Sequence, residues 1–146
     1  YAPNEEVFAA SIPPYTPEGK GEMVFNLAQW NAVKFSLCIC DFWGTLNMEL
    51  MAELMTLVTG KEWTAADMAE VGTRVINIAR AFNQREGFTA KDDTAPKRLF
   101  NEALKNGPGA GQKIPEEAFE DMKQQYYKVL GWDENGMLPE SLLATL

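Results

Sequence analysis

The sequence predicts an all-α fold: a compact multi-helix domain behind an irregular N-terminal lead. Three observations carry this. No segment alternates apolar and polar residues with period two over a useful length. Three long stretches repeat apolar residues at helical spacing, and each has its own stop signal. Four of the eight prolines crowd into the first seventeen residues and leave the rest of the chain free to form helices.

The lead, residues 1–17 (YAPNEEVFAASIPPYTP), reads as extended, since proline removes a donor and biases the residue before it away from helix. The domain proper is residues 18–146. From about Glu18, Met23, Leu27, Trp30 and Lys34 follow helical spacing and run into an apolar stretch that ends in Cys38 and Cys40. Asn47 suits the N-cap of the next helix and Gly60 its stop. Leu50, Met51, Leu54, Met55, Leu57 and Val58 give that helix a wide apolar stripe. Thr64 and Asp67 have the spacing of a capping box. The helix they open carries Met68, Val71, Val75, Ile78, Ala79 and Phe82 on one face and ends at Gly87. A polar connector, GFTAKDDTAPKRL, leads to a short helix predicted to end near Leu104. In the connector, one of Asp92 and Asp93 is expected to cap that helix and the other to pair with Lys97 or Arg98. NGPGAGQ is a surface loop, because a phosphate cradle would need a preceding strand and a Gly-Lys-Ser/Thr run. Pro115 suits the first position of the last long helix. Phe119, Met122, Tyr126, Val129 and Leu130 line its core face, and Gly131 closes it. WDENGMLP is a turn and ESLLATL a short final helix.

The chain has 146 residues, enough for one domain with a core, and a net charge of −8 from 13 basic and 21 acidic side chains. An acidic balance without a basic stripe argues against nucleic-acid binding. No apolar run approaches the roughly 20 residues a membrane span needs. No signal peptide is visible, and the initial Tyr1 points to a cut from a longer chain. Two cysteines one residue apart seldom bridge, so a reducing, cytoplasmic setting is expected.

With no histidine in the chain, neither a Ser-His-Asp nor a Cys-His site can be assembled. Glu116 and Glu117 suit a helix N-terminus as solvated acids. Cys38 and Cys40 read either as buried small hydrophobes or as metal ligands whose partners lie elsewhere. Two thiols alone complete neither a zinc site nor a [4Fe–4S] site.

Three separated motifs resemble the C-terminal end of tungsten-dependent aldehyde ferredoxin oxidoreductases. NQREGFTAKDDTAPKRL (residues 83–99) is similar to the family signature N-x-R-E-G-F-x-x-x-D-D-x-x-P-x-R. The segment 119–146 resembles the family's closing segment, and residues 18–33 the helix before its last cluster cysteine. The resemblance, from about residue 17 onward, implies the C-terminal domain of a larger enzyme. That enzyme would oxidise a small aldehyde to a carboxylic acid and pass electrons through a [4Fe–4S] cluster to ferredoxin. Its metal would be tungsten, or molybdenum, held by two pterins. Three cluster cysteines would come from an upstream C-x-x-C-x-x-x-C run and the fourth from a D-x-x-G-L-C motif followed by Cys-x-Phe spacing. Cys40-Asp41-Phe42 matches that spacing. It implies that Cys40 is the fourth cluster ligand, that Ile39 lies on the pterin wall, and that Cys38 replaces the glycine as a packed neighbour. Taking Cys38 as the ligand loses the Cys-x-Phe match. Phe35 falls on the pterin-binding aspartate, a departure from the family. The family's catalytic histidine and glutamate lie upstream, so this chain would supply no catalytic residue and would be inactive alone. Upstream domains of the same chain are the expected partners. Phe35 and Cys38 favour the alternative, a cofactor-free helical scaffold or interaction module derived from the same fold.

Overall fold

The computed structural model describes residues 16–40, 42–44 and 46–146. Among these are six helices and no strand: α1 (Lys20–Ser36), α2 (Met48–Thr59), α3 (Ala65–Arg85), α4 (Lys97–Asn101), α5 (Glu116–Leu130) and α6 (Glu140–Leu143). The all-α expectation holds. The lead segment 1–17 lies, save for Thr16 and Pro17, outside the described residues.

Local chemistry places most helix ends as predicted. Asn47 accepts from the Leu50 amide at 2.8 Å and caps α2. Thr64 and Asp67 form a full capping box on α3. The Thr64 hydroxyl and amide both donate to the Asp67 carboxylate and hold it below its ordinary pKa. Gly60 and Gly131, at φ 69° and 72°, stop α2 and α5 in the left-handed conformation that glycine takes most easily. Pro115 is the N-cap of α5, one residue outside the position expected, and Glu116 and Glu117 occupy its exposed first turn. Helix α4 ends at Asn101, short of Leu104, because Leu104 turns back to pair with Gln112 and Gly111 across the glycine-rich loop.

Helix α1 is the centre of the molecule. α3 and α5 both pack on it, and α2 lies against α3. Two glycines let the backbones close in. A Cβ on Gly21 would sit 2.5 Å from the Tyr126 amide nitrogen of α5, and one on Gly72 of α3 would sit 2.5 Å from the Gln29 carbonyl oxygen of α1. Side-chain bonds cross the same contacts: Gln29 Nε2 donates to Thr73 Oγ1 at 2.8 Å, and Gly21 N to Gln125 Oε1 at 3.3 Å. The core cluster is Trp30, Val33, Leu46, Met51, Ala52 and Met68, with Ile39, Met48 and Trp63 packed on its edge.

The predicted core faces need correction. On α3, Val75, Ile78 and Phe82 are exposed, Phe82 by 55%, whereas Met68, Gly72, Asn77 and Arg80 are buried. The polar pair goes inward because each member finds a partner outside the helix, Asn77 at Trp132 and Arg80 at Asp93 and Gly136. On α5, Tyr127 is buried and Val129 exposed. On α2 only Met51 and Ala52 are buried, while Leu57 and Val58 are exposed by 73% and 82%.

Candidate functional site

The two thiols sit where α1 ends. The Ile39 amide donates back to the Lys34 carbonyl at 3.1 Å, and the Cys38 amide to the Phe35 carbonyl at 3.0 Å. These are the paired bonds of a Schellman-type cap, whose turning residue must be left-handed. That residue is Cys38, at φ 56°, alone among the described non-glycine residues in having a positive φ. A left-handed conformation at this point accounts for a glycine in the motif that Cys38 matches. Beyond the cap Ile39 packs on the core while Cys40 is exposed.

Both cysteines are free and exposed. The reading of both as buried small hydrophobes, and of Cys38 as a packed neighbour, is therefore corrected: the left-handed turn carries Cys38 away from the packed face. Ile39 is half-buried against the core cluster. Cys40 is followed by a turn in which the Trp43 amide donates to its carbonyl at 3.1 Å. Phe35, Phe42 and Trp43, within five residues of the thiols in sequence, are all more than half exposed. Among the described residues no three His, Cys, Asp or Glu side chains come together as a metal site. Cys38 and Cys40 are thus accessible thiol donors without a complete ligand set beside them among the described residues. Phe35 does not fit the part of a pterin-binding carboxylate, because its ring offers no hydrogen-bond acceptor of that kind.

A second constellation joins α3, α5 and the connector. Arg80 is buried; its Nε donates to the Gly136 carbonyl at 2.7 Å and its Nη1 to Asp93 Oδ1 at 2.9 Å. Its Nη2 completes the ion pair 2.8 Å from Asp93 Oδ2, without hydrogen-bond alignment. The Tyr127 hydroxyl donates to Asp93 Oδ2. Burial first, and then the bond to Asp93, push the Tyr127 hydroxyl far above its ordinary pKa. Burial raises Tyr126 as well. The guanidinium also lies 5.2 Å from the Trp132 ring centre, and the Trp132 indole donates to Asn77 Oδ1 at 2.8 Å. Asp92 instead accepts from the Thr89 amide at 2.8 Å. Neither acid meets Lys97 or Arg98, both exposed, and neither caps α4, whose N-cap is Pro96. The expected pairing fails because Arg80, inside α3, offers a drier and more rigid partner. The connector is anchored all the same, since Lys123 Nζ also donates to the Ala90 carbonyl at 3.0 Å.

Between α1, α3 and α5 opens a cleft of about 970 Å³, mostly apolar, with Asp93 and Arg80 on one wall and Phe35 on its rim. Sequence reasoning missed Arg80, Tyr127 and Asn77. A signal existed for Arg80: a cation among the apolar residues Val75, Ile76, Ile78, Ala79, Ala81 and Phe82 of α3, upstream of two adjacent acids.

The family described as "Aldehyde ferredoxin oxidoreductase, domains 2 & 3" matches residues 2–146, which extends the resemblance into the lead. The tungsten-containing aldehyde ferredoxin oxidoreductase of Pyrococcus furiosus is 33% identical over 111 residues, covering 75% of this chain and 18% of its own length. That of Thermococcus kodakarensis is 32% identical over 104 residues, covering 70% and 16%. An aliphatic sulfonate oxidoreductase, WOR-like subunit, of Pyrococcus furiosus is 31% identical over 117 residues, covering 76% and 19%. The chain spans less than a fifth of the length of these relatives.

Proposed function

The chain belongs to the aldehyde ferredoxin oxidoreductase family, and from that premise we propose that it is the C-terminal part of a cytoplasmic oxidoreductase that converts an aldehyde and water to a carboxylic acid. That conversion releases two protons and two electrons, for which ferredoxin would be the acceptor. The bound pterin-held tungsten, or molybdenum, supplies the redox centre and the cluster supplies the one-electron outlet. Cys40 would hold one iron as the fourth thiolate. Ile39, fixed on the core beside it, forms part of the wall next to the pterin. Phe35, Phe42 and Trp43 keep water from the thiolate once the rest of the protein closes over them. This chain contributes no acid or base, and alone it is inactive.

The observation that carries this reading is the exposed Cys40 thiol, delivered by a left-handed cap into an apolar rim. Electron paramagnetic resonance of the reduced full-length protein tests it. Cys40→Ser is expected to lose or alter the cluster signal and Cys38→Gly to keep it. The opposite result would place the ligand two residues earlier. Phe35, standing where the motif has aspartate, favours one second reading: a helical module that keeps the fold without cofactors. Elemental analysis of the full-length protein separates the two, since a cofactor-free module would contain neither iron nor tungsten nor molybdenum.

A further inference from the structure

Lys34 lies in the last turn of α1 and its side chain has no solvent exposure at all. Burying an ammonium is costly, and a lysine kept there needs compensation. Its Nζ is 4.1 Å from the centre of the Trp30 ring and 5.5 Å from that of Phe35. Trp30 in turn donates its indole N–H to the Leu46 carbonyl at 2.7 Å. The Lys34 carbonyl accepts from the Ile39 amide. Lys34 therefore acts on the chain on both sides of Cys40: its carbonyl fixes the exit from α1, and its ammonium seats the ring that fixes Leu46. Cys40 lies between those two anchors. The cation also lies near the carbonyl end of α1, where positive charge is favoured.

We infer that Lys34 is a positioning residue: it clamps the loop that presents Cys40 and so sets how that thiolate meets the cluster. The inference rests on the function proposed above for Cys40. A side chain that merely filled space could be replaced by an apolar one of similar length without consequence for the metal. Outer partners that orient a metal ligand behave otherwise, and losing one weakens metal affinity about tenfold or more.

The test compares Lys34→Met with Met51→Ala in the full-length protein. Met51 belongs to the same core cluster but takes part in neither the Ile39–Lys34 nor the Trp30–Leu46 hydrogen bond, so its truncation is a control for lost packing. Lys34→Met is expected to change the g-values of the reduced cluster and to release iron to a chelator at about tenfold lower concentration. Met51→Ala is expected to lower the melting temperature and leave both readouts alone. If Lys34→Met does not fold, Trp30→Phe is read the same way, because it keeps a ring under the ammonium and loses the bond to Leu46. A cluster unmoved by the Lys34 or Trp30 change, or one disturbed equally by Met51→Ala, overturns the inference alone. A wild-type protein without iron overturns the proposed function and this inference with it.

Discussion

At φ 56°, Cys38 stores strain that a glycine would not. A non-glycine residue held left-handed costs about 1–2 kcal/mol. Part of that returns as the extra chain entropy of glycine, so Cys38→Gly is expected to raise stability by about 1 kcal/mol. Urea melts of the purified chain check this, and an unchanged or lower midpoint counts against it. From one sequence the left-handed conformation was visible only through the motif that Cys38 matches, since nothing about cysteine signals it. Tyr127 gives a second prediction. Its hydroxyl pKa is raised by folding from an ordinary value of 10.0, so the folded chain holds that proton more tightly. The associated stability is complete below about pH 10 and lost as the pH rises through the higher folded value. Urea midpoints should therefore be flat from pH 8 to 10 and fall above it. The fall should be smaller in Tyr127→Phe, and equal falls in both proteins would remove Tyr127 as its cause.

For the helices, ends were legible and faces were not. Asn47, Thr64, Gly60 and Gly131 act on amides and carbonyls within one turn, so their effect is written in a few neighbouring residues. Which face of α3 is buried depends instead on residues more than ten positions away. Asn77 meets Trp132 and Arg80 meets Asp93 and Gly136 only after the chain has folded back. Periodicity alone preferred Val75, Ile78 and Phe82, which remain exposed. The connector shows the energetic consequence. Asp93→Asn leaves the buried Arg80 without its counter-charge, and Asp93 is itself a third exposed. A loss of about 2–3 kcal/mol is expected, less than the 3–5 kcal/mol of a fully buried pair. Lys97→Ala and Arg98→Ala should stay within about 0.5 kcal/mol. Guanidinium unfolding of the three variants decides it, and equal effects would mean that the connector is an ordinary charged turn.

Across the molecule, the core cluster is built of Trp30, Val33, Leu46, Met51, Ala52 and Met68 with no metal ligand among them. The chain is therefore expected to be helical by far-ultraviolet circular dichroism with or without a chelator. Loss of helicity on chelation would show that metal binding contributes folding free energy outright. No helix among the described residues is long and apolar enough to cross a membrane. The close approach at Gly21 has a kinetic consequence. It joins α1 to Gln125, 104 positions along the chain. Closing a loop of that length is entropically late, whereas α2 and α3 are neighbours in sequence and can pair early. Docking of α5 should thus follow the folding transition state. Gly21→Ala, which drives a methyl group into the α5 backbone, should accelerate unfolding and leave the refolding rate nearly unchanged.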